Sequence, residues 1–480
     1  MKYIVAVDQS TSASKVFLVD ERGEITRAVK HAHRQLYPTP GRAEHDAEEI
    51  YQCVRAGINE VIDGVERTQI DAIALTNQRE TIVVWERATG QPICPAIVWQ
   101  DTRGDRVCAE LASANDRVRQ LTGSAISPYL PASKAEQLLR EQPSLRERAQ
   151  NGELCIGTIE SYLIFRLCGR FVSDYSNASR TQWLDLHTRD WSSELLSLFG
   201  MPRAALAETL LPSDACFGEY CGIPIIGVLG DSFAALFGQG CHAPGTAKAT
   251  YGTGASVMVN TGDVPLVTGN GLTAAIAYGY RGHVCYEIEG NITCSGDTLI
   301  WLRDGLKLFS SLEELEQLAG SVPDAKGVQL VPAFEGLGAP FFDVQAKATL
   351  RGMTRGTTRA HVARAALESI AQRVTDVTEA IRAEGGFTIP LLMADGGGSR
   401  NELLMQTQAN LANCELRCAD ASDLSALGAA YMAGLTTGLY ASFEELAARR
   451  QTRIFAPHMQ AEARLRMRRD WAQAIQSARL

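Results

Sequence analysis

Eight consecutive residues near the start of the chain, residues 8–15 with the sequence "DQSTSASK", combine one acid, four hydroxyl side chains and one lysine between two apolar runs. A tight turn of such small residues exposes backbone N–H groups and hydroxyls at one point, which makes an anion-binding concavity. Lys15 adds a positive charge. Asp8 cannot hold an anion directly, but it can hold a Mg²⁺ ion that does. The stretch predicts a metal–polyphosphate site, although an ordinary polar hairpin turn explains it equally well when it is taken alone.

Two further stretches favour the phosphate interpretation. "TYGTGAS", residues 250–256, also places a turn of small residues between two apolar strands, and two such turns can hold one polyphosphate chain from both sides. "ADGGGSRNELLMQ", residues 394–406, puts three glycines before a helix, where the backbone can approach a phosphate or the flat face of a purine. The sequence contains no GxxxxGK[ST] pattern and no GxGxxG after a strand, which excludes P-loop and Rossmann sites.

A candidate base and candidate acceptor-binding residues lie between these stretches. Asp231 in "GVLGDSFAAL" follows a strand and a glycine and opens a helix, so we expect its carboxylate to face a cleft and to take the proton of an alcohol; the alternative is a helix cap. Arg79 and Glu80 in "LTNQRE" offer a donor fork and an acceptor for vicinal hydroxyls, or form a surface salt bridge. Trp99 in "IVWQ" offers an apolar face to a carbon chain, or is a core residue.

Strands that end at a common cleft must position these side chains. "KYIVAVD", "KVFLVD", "IDAIALTNQRET" and "AIVWQDTRGDR" have the composition of strands, the last two ending in polar residues. A helix is expected near residues 47–64, and a largely helical region over about residues 101–167. Apolar residues recur at helical spacing from Val362 to Ile381, and two glycines follow, so a helix is predicted to end there.

The length of 480 residues exceeds what one core usually supports and predicts two domains. The two hairpins with small-residue turns stand about half a chain apart, which suggests two related halves facing one cleft. We place the boundary in the loop "GQGCHAPGT" near residue 240. The N-terminal domain, residues 1–240, would bind the acceptor and phosphate, and the C-terminal domain, residues 241–480, would bind the nucleotide.

Composition limits the classes of function. Apolar residues make up 45% and charged residues 21%, as in an ordinary globular protein. The net charge of −9 argues against nucleic-acid binding. The twelve cysteines show no metal-ligand spacing and are expected to be free thiols in a reducing cytoplasm. The N-terminus lacks the apolar region of a secretory signal, and no apolar run approaches the ~20 residues of a membrane helix.

The motifs "VAVDQSTSASK", "ALTNQRET", "AIVWQDTR", "DYSNASRT", "GVLGDSFAALFGQ", "TYGTG", "VPAFEGLGAP" and "DGGGSRNELLMQ", taken together, cover the chain. With them the sequence resembles the FGGY family of carbohydrate kinases, most closely its glycerol-phosphorylating members. The resemblance implies an α/β fold of two RNase H-like, actin-like ATPase domains that flank a deep cleft. It implies ATP-dependent phosphorylation of a small polyol or sugar, with ATP and Mg²⁺ bound in that cleft.

The resemblance also implies residue roles. Asp231 would be the catalytic base, and Asp8 would hold Mg²⁺ directly or through water; both acids should therefore open onto the same cleft. The remaining expected contacts are Thr11, Ser12 and Lys15 with the β- and γ-phosphates, Thr253 and Gly254 with the phosphates from the second domain, Gly397, Gly398 and Asn401 with adenosine, and Arg79, Glu80, Trp99, Tyr129 and Ser232 with the acceptor.

Several departures from the family pattern leave the acceptor open. Glycerol-phosphorylating members have Gln after the base and Phe in the second turn, where this chain has Ser232 and Ser256. Both changes remove volume, so glycerol, a longer polyol such as erythritol, and a ketose such as xylulose or ribulose all remain candidates. Lys15 replaces the usual Arg, and Gln137 replaces a signature Trp. The loop that binds fructose 1,6-bisphosphate in some members is shortened to "GEYCGIPI", which predicts no inhibition by that compound.

Other functions of this fold agree less well with the sequence. A non-catalytic sugar or nucleotide sensor should lose the metal-binding acid or the base, yet Asp8 and Asp231 are both present. An actin-like or chaperone-like ATPase would leave "NQRET" and Trp99 without a role. The partner expected is a small polyol or sugar, with no nucleic acid and no membrane, and the resemblance leaves a homo-oligomer open.

Overall fold

The computed structural model describes residues 1–269, 271–419, 423–449 and 452–479, and it has the predicted α/β structure. The strands of the first 240 residues are β1 Tyr3–Gln9, β2 Ala13–Asp20, β3 Ile25–Ala32, β4 Glu44–His45, β5 Ile70–Asn77, β6 Ile82–Glu86, β7 Ala96–Ile97, β8 Leu154–Thr158, β9 Val172–Asp174, β10 Leu184–Asp185, β11 Asp190–Trp191, β12 Thr209–Leu211, β13 Cys216–Tyr220 and β14 Ile223–Gly230. The helices are α1 Ala47–Ile62, α2 Asp105–Glu110, α3 Asn115–Thr122, α4 Pro131–Glu141, α5 Pro143–Gln150, α6 Ile159–Cys168, α7 Tyr175–Ser179, α8 Ser193–Leu198 and α9 Asp231–Gly238, with 3₁₀ turns at Arg67–Gln69, Ala112–Ala114 and Arg203–Ala205.

The remainder of the chain forms a second set of elements. Its strands are β15 Ala247–Tyr251, β16 Ala255–Gly262, β17 Thr273–Tyr280, β18 His283–Ile292, β19 Gln329–Val331, β20 Thr349–Arg351, β21 Leu391–Asp395, β22 Glu415–Ala419 and β23 Thr452–Phe455. Its helices are α10 Gly296–Asp304, α11 Leu312–Gly320, α12 Arg359–Gly385, α13 Glu402–Ala412, α14 Leu424–Thr437, α15 Phe443–Ala448 and α16 Ala461–Ala478, with a 3₁₀ turn at Gly397–Arg400.

The first main sheet has the strand order β13-β14-β5-β1-β2-β3. Strands β1, β2 and β3 pair antiparallel, β5 runs parallel to β1, and β14 runs parallel to β5. The β1–β2 hairpin is the one that the sequence predicts, with Asp8 directly opposite Lys15. Because β1, β5 and β14 are parallel, their carboxyl ends meet at one edge of the sheet, the edge at which open α/β sheets bind ligands.

The second main sheet repeats this arrangement in the order β17-β18-β16-β15-β21-β22-β23. Here β15, β16 and β18 pair antiparallel, while β21 runs parallel to β15 and β22 parallel to β21. The predicted second hairpin, β15–β16, therefore takes the place that β1–β2 has in the first sheet. The duplication that the two hairpins suggest extends to five consecutive strands of each sheet, β14-β5-β1-β2-β3 in the first and β22-β21-β15-β16-β18 in the second.

Apolar packing on both faces explains why the central strands are almost continuously hydrophobic. Helix α1 covers one face of the first sheet with Ile50, Val54 and Ile58. The long helix α12 packs against the second sheet and ends where predicted, at Gly386, whose φ of 64° favours glycine.

Helix α14 of the second half packs on the other face of the first sheet, beside α9. Leu427, Ala430 and Met432 share a buried cluster with Ile4 and Ala6 of β1. The two halves are thus connected by core packing as well as by the chain. The division at residue 240 stays a prediction, because α14 lies beyond that boundary in sequence and against the first sheet in space.

Two general features bear on the predictions from composition. None of the helices in the described ranges is long and apolar enough to cross a membrane. No disulfide joins any two of the described cysteines.

Candidate active site

The ends of the parallel strands bring the predicted acids and polar residues to the space between the two sheets. In the first sheet, Asp8 lies at the end of β1, Arg79 and Glu80 follow β5, and Asp231 follows β14. In the second sheet, β21 ends at Asp395. Two cavities open there, one of about 210 Å³ and one of about 510 Å³.

The smaller cavity, called here the acceptor cavity, is lined by residues from both halves of the chain. The first half of the chain supplies Thr11, Gln78, Arg79, Glu80, Trp99, Tyr129, Asp231 and Ser232, and the second half supplies Ser256, Glu289 and Asn291. All six residues predicted to bind the acceptor, Arg79, Glu80, Trp99, Tyr129, Asp231 and Ser232, line this one space. Their assembly from segments up to about 150 residues apart in sequence indicates a built site rather than a surface depression.

Arg79 and Glu80 are both buried and both already paired. The Arg79 guanidinium forms a bidentate pair with Glu289, with Nη1–Oε2 and Nη2–Oε1 distances of 3.1 and 3.2 Å. Glu80 accepts a hydrogen bond of 2.8 Å from Nε of Arg180. The donor fork predicted to bind a substrate diol is therefore engaged by a carboxylate of the second half. Arg79 also lies over the ring of Phe233, 4.7 Å from its centroid.

Asp231 is the first residue of α9, and Gly230 is the N-cap, so the alternative role of Asp231 as the cap does not apply. Its side chain is 37% exposed, toward the cavity. Burial of its surroundings raises the pKa of this carboxyl, and the nearby Arg79 guanidinium, 3.4 Å away at Nε, opposes that rise. A carboxylate in this position can accept a proton from a hydroxyl group bound in the cavity.

The aromatic wall of the acceptor cavity is formed by Trp99 and Tyr129, whose ring centroids lie 5.5 Å apart. The buried ammonium of Lys134 donates three hydrogen bonds, to the carbonyl oxygens of Val98 (3.0 Å), Trp99 (2.9 Å) and Tyr129 (2.8 Å). All three N–H groups of the ammonium are therefore paired, and the backbone of both aromatic residues is hydrogen-bonded to Lys134 of helix α4.

Trp99 also connects the aromatic wall to the first turn. Its indole Nε1 donates to Thr11 Oγ1 over 2.9 Å. The carbonyl oxygen of Thr11 is contacted by Gln35 Nε2 at 2.7 Å and by His33 Nε2 at 2.9 Å. Thr11, which the sequence predicts to bind phosphate, lines the acceptor cavity. Its carbonyl oxygen is held in position by Gln35 and His33.

The larger cavity, called here the nucleotide cavity, is lined by Asp8 and Lys15 of the first half. Its other lining residues, Thr250, Asp395, Gly396, Gly397, Ser399, Arg400, Ala419, Asp423, Leu424, Ser425 and Arg453, all belong to the second half. Lys15 Nζ lies 2.6 Å from Asp423 Oδ1, an ion pair across the two halves. Gly396 has a φ of 84°, and a Cβ there would lie 2.5 Å from the carbonyl oxygen of Tyr251, so the backbone approach at this wall requires glycine.

Burial, together with the charges of Asp231 and Asp423, raises the pKa of Asp8 to about 7, against the opposing charge of Lys15. The influence of Asp231 on Asp8 means that the two acids are close. They nevertheless line different cavities, Asp8 the nucleotide cavity and Asp231 the acceptor cavity. The two acids therefore line two neighbouring cavities and not the single cleft expected for them.

The other predicted nucleotide-binding residues lie at the edge of this region. Gly397 lines the nucleotide cavity, whereas Ser12, Thr253, Gly254, Gly398 and Asn401 are not among its lining residues. Ser12 is exposed in the first turn, and Thr253 and Gly254 form the β15–β16 turn. Asn401 caps α13 by accepting a hydrogen bond from the backbone N–H of Leu404. No structural feature assigns these five residues a ligand contact.

The acids that line the nucleotide cavity suit a magnesium–polyphosphate ligand. Within the described ranges no cluster of three or more His, Cys, Asp or Glu side chains could hold a metal by itself. Mg²⁺ in kinases instead takes one or two carboxylates together with phosphate oxygens. Asp8 is 8% exposed, and Oδ1 of Asp395 is buried without a hydrogen-bond partner. Two such carboxylates facing one cavity fit this mode of binding.

Sequence reasoning assigned no role to Arg180, Glu289, Asn291 or Asp395. Arg180 lies in "DYSNASRT" and Asp395 in "ADGGGSR", both of which stood out as motifs, so their polar residues could have been included. Glu289 and Asn291 lie on strand β18, whose sequence "HVCYEIEGNI" gives one signal: acids at two alternate positions of an otherwise apolar strand. A buried acid in a strand requires a partner, and that could have indicated Glu289.

Comparison with known proteins agrees with this geometry. The model of the N-terminal domain of the FGGY family of carbohydrate kinases matches residues 3–238, and the model of the C-terminal domain matches residues 247–437. The chain is 42% identical over 494 residues to a glycerol kinase of Aromatoleum aromaticum, covering 100% of this chain and 99% of that protein. It is 43% identical over 490 residues to a glycerol kinase of Symbiobacterium thermophilum, and the match covers 99% of this chain and 98% of that protein. Among solved structures it is similar to a Plasmodium falciparum glycerol kinase with ADP, with a TM-score of 0.95, 31% identity and coverage of 100% and 99%.

Proposed function

This chain belongs to the FGGY family of carbohydrate kinases and is an ATP-dependent kinase, and on that premise we propose that its acceptor is a glycerol-like polyhydroxy compound, that is, a short polyol or sugar. Relatives named glycerol kinase match over nearly their full length, which supports a glycerol-like acceptor. The observation that carries the proposal is the acceptor cavity, in which one partly exposed carboxylate, Asp231, faces an aromatic wall and hydroxyl-binding groups.

In the proposed mechanism Asp231 accepts the proton of the reacting hydroxyl. An alcohol attacks a phosphorus atom efficiently only as that proton leaves, and a carboxylate within hydrogen-bond reach can remove it during bond formation. Arg79, 3.4 Å from Asp231, favours the ionised form of this carboxylate by opposing the rise in its pKa that burial causes, and it fixes the orientation of the carboxylate. The Trp99 and Tyr129 rings exclude water and contact the carbon chain of the acceptor.

We assign the phosphates of ATP to the nucleotide cavity. Lys15 would approach the β- and γ-phosphates, and its pairing with Asp423 would be exchanged for pairing with phosphate as the ligand enters. The N–H groups near Gly396 and Gly397 would face the nucleotide from the second half. Asp8 and Asp395 would hold Mg²⁺, which when bound neutralises charge on the transferring phosphoryl group. Ser12, Thr253, Gly254, Gly398 and Asn401 stay predictions from the resemblance.

Two further assignments are part of the proposal. We place the domain division near residue 240, with residues 1–240 supplying the base and residues 241–480 supplying the nucleotide site. We retain a cytoplasmic location as a prediction from the number and the scattered spacing of the cysteines in the sequence.

The test is an ADP-release assay on the full-length protein with ATP, Mg²⁺ and a panel of glycerol, erythritol, xylitol, D-xylulose and D-ribulose. We expect turnover that depends on one of these acceptors and exceeds the ATP hydrolysis seen without it. If no polyol or sugar of the panel stimulates ADP release, the proposed acceptor class is wrong. Stimulation by an unfolded peptide in place of a polyol would favour a chaperone-like ATPase.

A further inference from the structure

The second half of the chain contributes polar side chains to the wall of the acceptor cavity, and two of them have no role in the mechanism proposed above. Ser256 on β16 and Asn291 on β18 lie directly opposite each other in the antiparallel register, so their side chains are neighbours on one face of the sheet. Both line the acceptor cavity. Neither the Ser256 hydroxyl nor the Asn291 side-chain amide makes a hydrogen bond to another described residue, and Asn291 is exposed to the cavity.

The other polar groups of this cavity are already engaged. Arg79 is paired bidentately with Glu289, and Glu80 accepts from Arg180. The Thr11 hydroxyl accepts from the Trp99 indole. The groups left for an acceptor molecule are therefore the base Asp231 beside Ser232, at one end of α9, the Tyr129 hydroxyl, and the pair of Ser256 and Asn291 on the second sheet.

The chemistry of this pair selects for hydroxyl groups. A hydroxyl is both donor and acceptor, and a side-chain amide offers two N–H donors and an acceptor oxygen, so the pair can bind one or two alcohol groups completely. The same pair offers no apolar surface to a carbon atom. An acceptor that places no hydroxyl here leaves polar groups unpaired inside the closed site, which reduces its binding in the transition state.

We propose that Ser256 and Asn291 are specificity-determining residues that bind hydroxyl groups of an acyclic polyhydroxy acceptor of four or five carbons, in preference to three-carbon glycerol. This inference rests on the proposed kinase function, and it narrows the class of acceptor molecules that the kinase would phosphorylate. The reacting hydroxyl lies at Asp231, and the far end of the acceptor lies against the Ser256–Asn291 pair. Trp99 and Tyr129 cover the carbon chain between these two ends.

The experiment compares kcat/KM for glycerol, erythritol, xylitol and D-xylulose in the full-length protein and in Asn291→Ala, Ser256→Ala and Ser256→Phe. The readout is the ratio of kcat/KM for the best four- or five-carbon acceptor to that for glycerol. Each ratio is measured on one enzyme preparation, so it does not depend on the fraction of a variant that folds. Asn151→Ala, at an exposed position that lines neither cavity, is the matched control.

We expect the wild-type ratio to be at least about tenfold in favour of the longer acceptor, the equivalent of one well-formed hydrogen bond. Asn291→Ala and Ser256→Ala should each lower the ratio several-fold or more, and Ser256→Phe should lower it most, since a ring opposite Trp99 both fills the space and offers an apolar face. A wild-type preference for glycerol, or ratios in the alanine variants that match wild type and Asn151→Ala, overturns the inference and leaves the proposed kinase intact. Absence of turnover with all four acceptors instead overturns the proposed function.

Discussion

Arg79 of the first half and Glu289 of the second half form a buried bidentate ion pair directly beside the candidate base. The two Nη–Oε distances are 3.1 and 3.2 Å, and the side chains are 5% and 1% exposed. The pair connects the end of β5 to strand β18, which lie 210 residues apart in sequence. It holds the Arg79 guanidinium where Nε can face Asp231, so the position of the base depends on contact between the two halves.

Removing the charge of Glu289 should therefore destabilise the protein strongly. Glu289→Gln leaves the buried Arg79 charge with reduced compensation, and loss of one partner of a buried ion pair costs about 3–5 kcal/mol of the free energy of unfolding. Urea denaturation followed by circular dichroism measures this value. We also expect a lower kcat, because Arg79 no longer has a fixed orientation toward Asp231.

Glu287 provides the matched control on the same face of the same strand. It is fully buried, neither carboxyl oxygen has a hydrogen-bond partner among the described residues, and burial together with the charge of Glu289 raises the pKa of its carboxyl well above the usual range. An acid that is already neutral should tolerate replacement by the isosteric amide. Glu287→Gln is expected to change the free energy of unfolding by no more than about 0.5 kcal/mol; equal effects of the two substitutions would contradict the importance of the Arg79–Glu289 pair.

Asp231→Asn should remove phosphoryl transfer while nucleotide binding persists. The amide keeps the size of the side chain but cannot accept the alcohol proton, and loss of a general base lowers kcat by about 10²–10⁴-fold. ATP affinity, measured by isothermal titration calorimetry, should stay within a few-fold of wild type, because Asp231 lines the acceptor cavity and not the nucleotide cavity. Asp116→Asn, at a highly exposed position, is the control; activity retained by Asp231→Asn would mean that another residue is the base.

The elements that follow from local pattern could be predicted from the sequence. Both hairpins, the strand–helix junction at Asp231 and the end of α12 are set by short-range features: apolar runs, small turn residues and glycines. The strand expected in "AIVWQDTRGDR" is only the two-residue β7, because the chain turns there, with the N–H of Asp101 donating to the carbonyl of Val98. The predicted helical region over residues 101–167 is interrupted by β8.

The pairing of the charged residues could not be predicted in the same way. Arg79 and Glu80 line the acceptor cavity, and their partners Glu289 and Arg180 lie 210 and 100 residues away in sequence. Such contacts depend on how the two sheets are oriented relative to each other, and no local sequence pattern carries information about that orientation. The packing of α14 on the first sheet has the same origin, since an apolar helix indicates burial without indicating against which sheet.

Fructose 1,6-bisphosphate should not inhibit this kinase. The segment that would carry its binding loop is a tight hairpin, in which β13 and β14 are joined through Cys221 and Gly222, with φ values of 50° and 72°. A two-residue turn of this kind offers no extended loop to surround a bisphosphate. Turnover measured with up to millimolar fructose 1,6-bisphosphate should match turnover without it, and a dose-dependent decrease would show that the compound binds elsewhere.

Acidification should destabilise the protein through His45, which lies behind the first turn. His45 is 1% exposed, contacts Gln35 through Nε2, and packs edge-on against His33 with a centroid distance of 4.8 Å. Burial and, to a smaller extent, the neighbouring His33 lower the pKa of His45 from 6.5 to about 3. Between these two values the unfolded chain binds a proton that the folded chain does not, so stability is lost as the pH falls below 6.5, by up to about 1.4 kcal/mol per pH unit.

The measurement is the urea midpoint at pH 7, 6, 5 and 4 for wild type and for His45→Asn, which cannot take up the proton. The decrease with falling pH should be shallower in the variant. Parallel curves for the two proteins would show that the acid sensitivity comes from other groups.

Lys134 should control acceptor affinity by holding the aromatic wall in place. Its ammonium uses all three N–H groups on the carbonyls of Val98, Trp99 and Tyr129, and Lys134→Met removes these bonds while keeping most of the volume. We expect KM for the acceptor to rise at least about tenfold and KM for ATP to stay within about twofold, since Lys134 does not line the nucleotide cavity. Lys326→Met, at an exposed lysine that also lies near a backbone carbonyl, is the control.

The protonation state of Lys134 gives this prediction a second, independent readout. Burial lowers the pKa of Lys134 to about 7, and the nearby acids Glu80 and Asp101 oppose that shift. The neutral amine has two N–H groups, so one of the three carbonyls loses its donor as the pH rises through this value. KM for the acceptor in wild type should therefore increase between pH 6.5 and 8.5, and the increase should be absent in Lys134→Met. A merely structural lysine would instead lower the amount of active enzyme and leave both KM values and their pH dependence as they are in wild type.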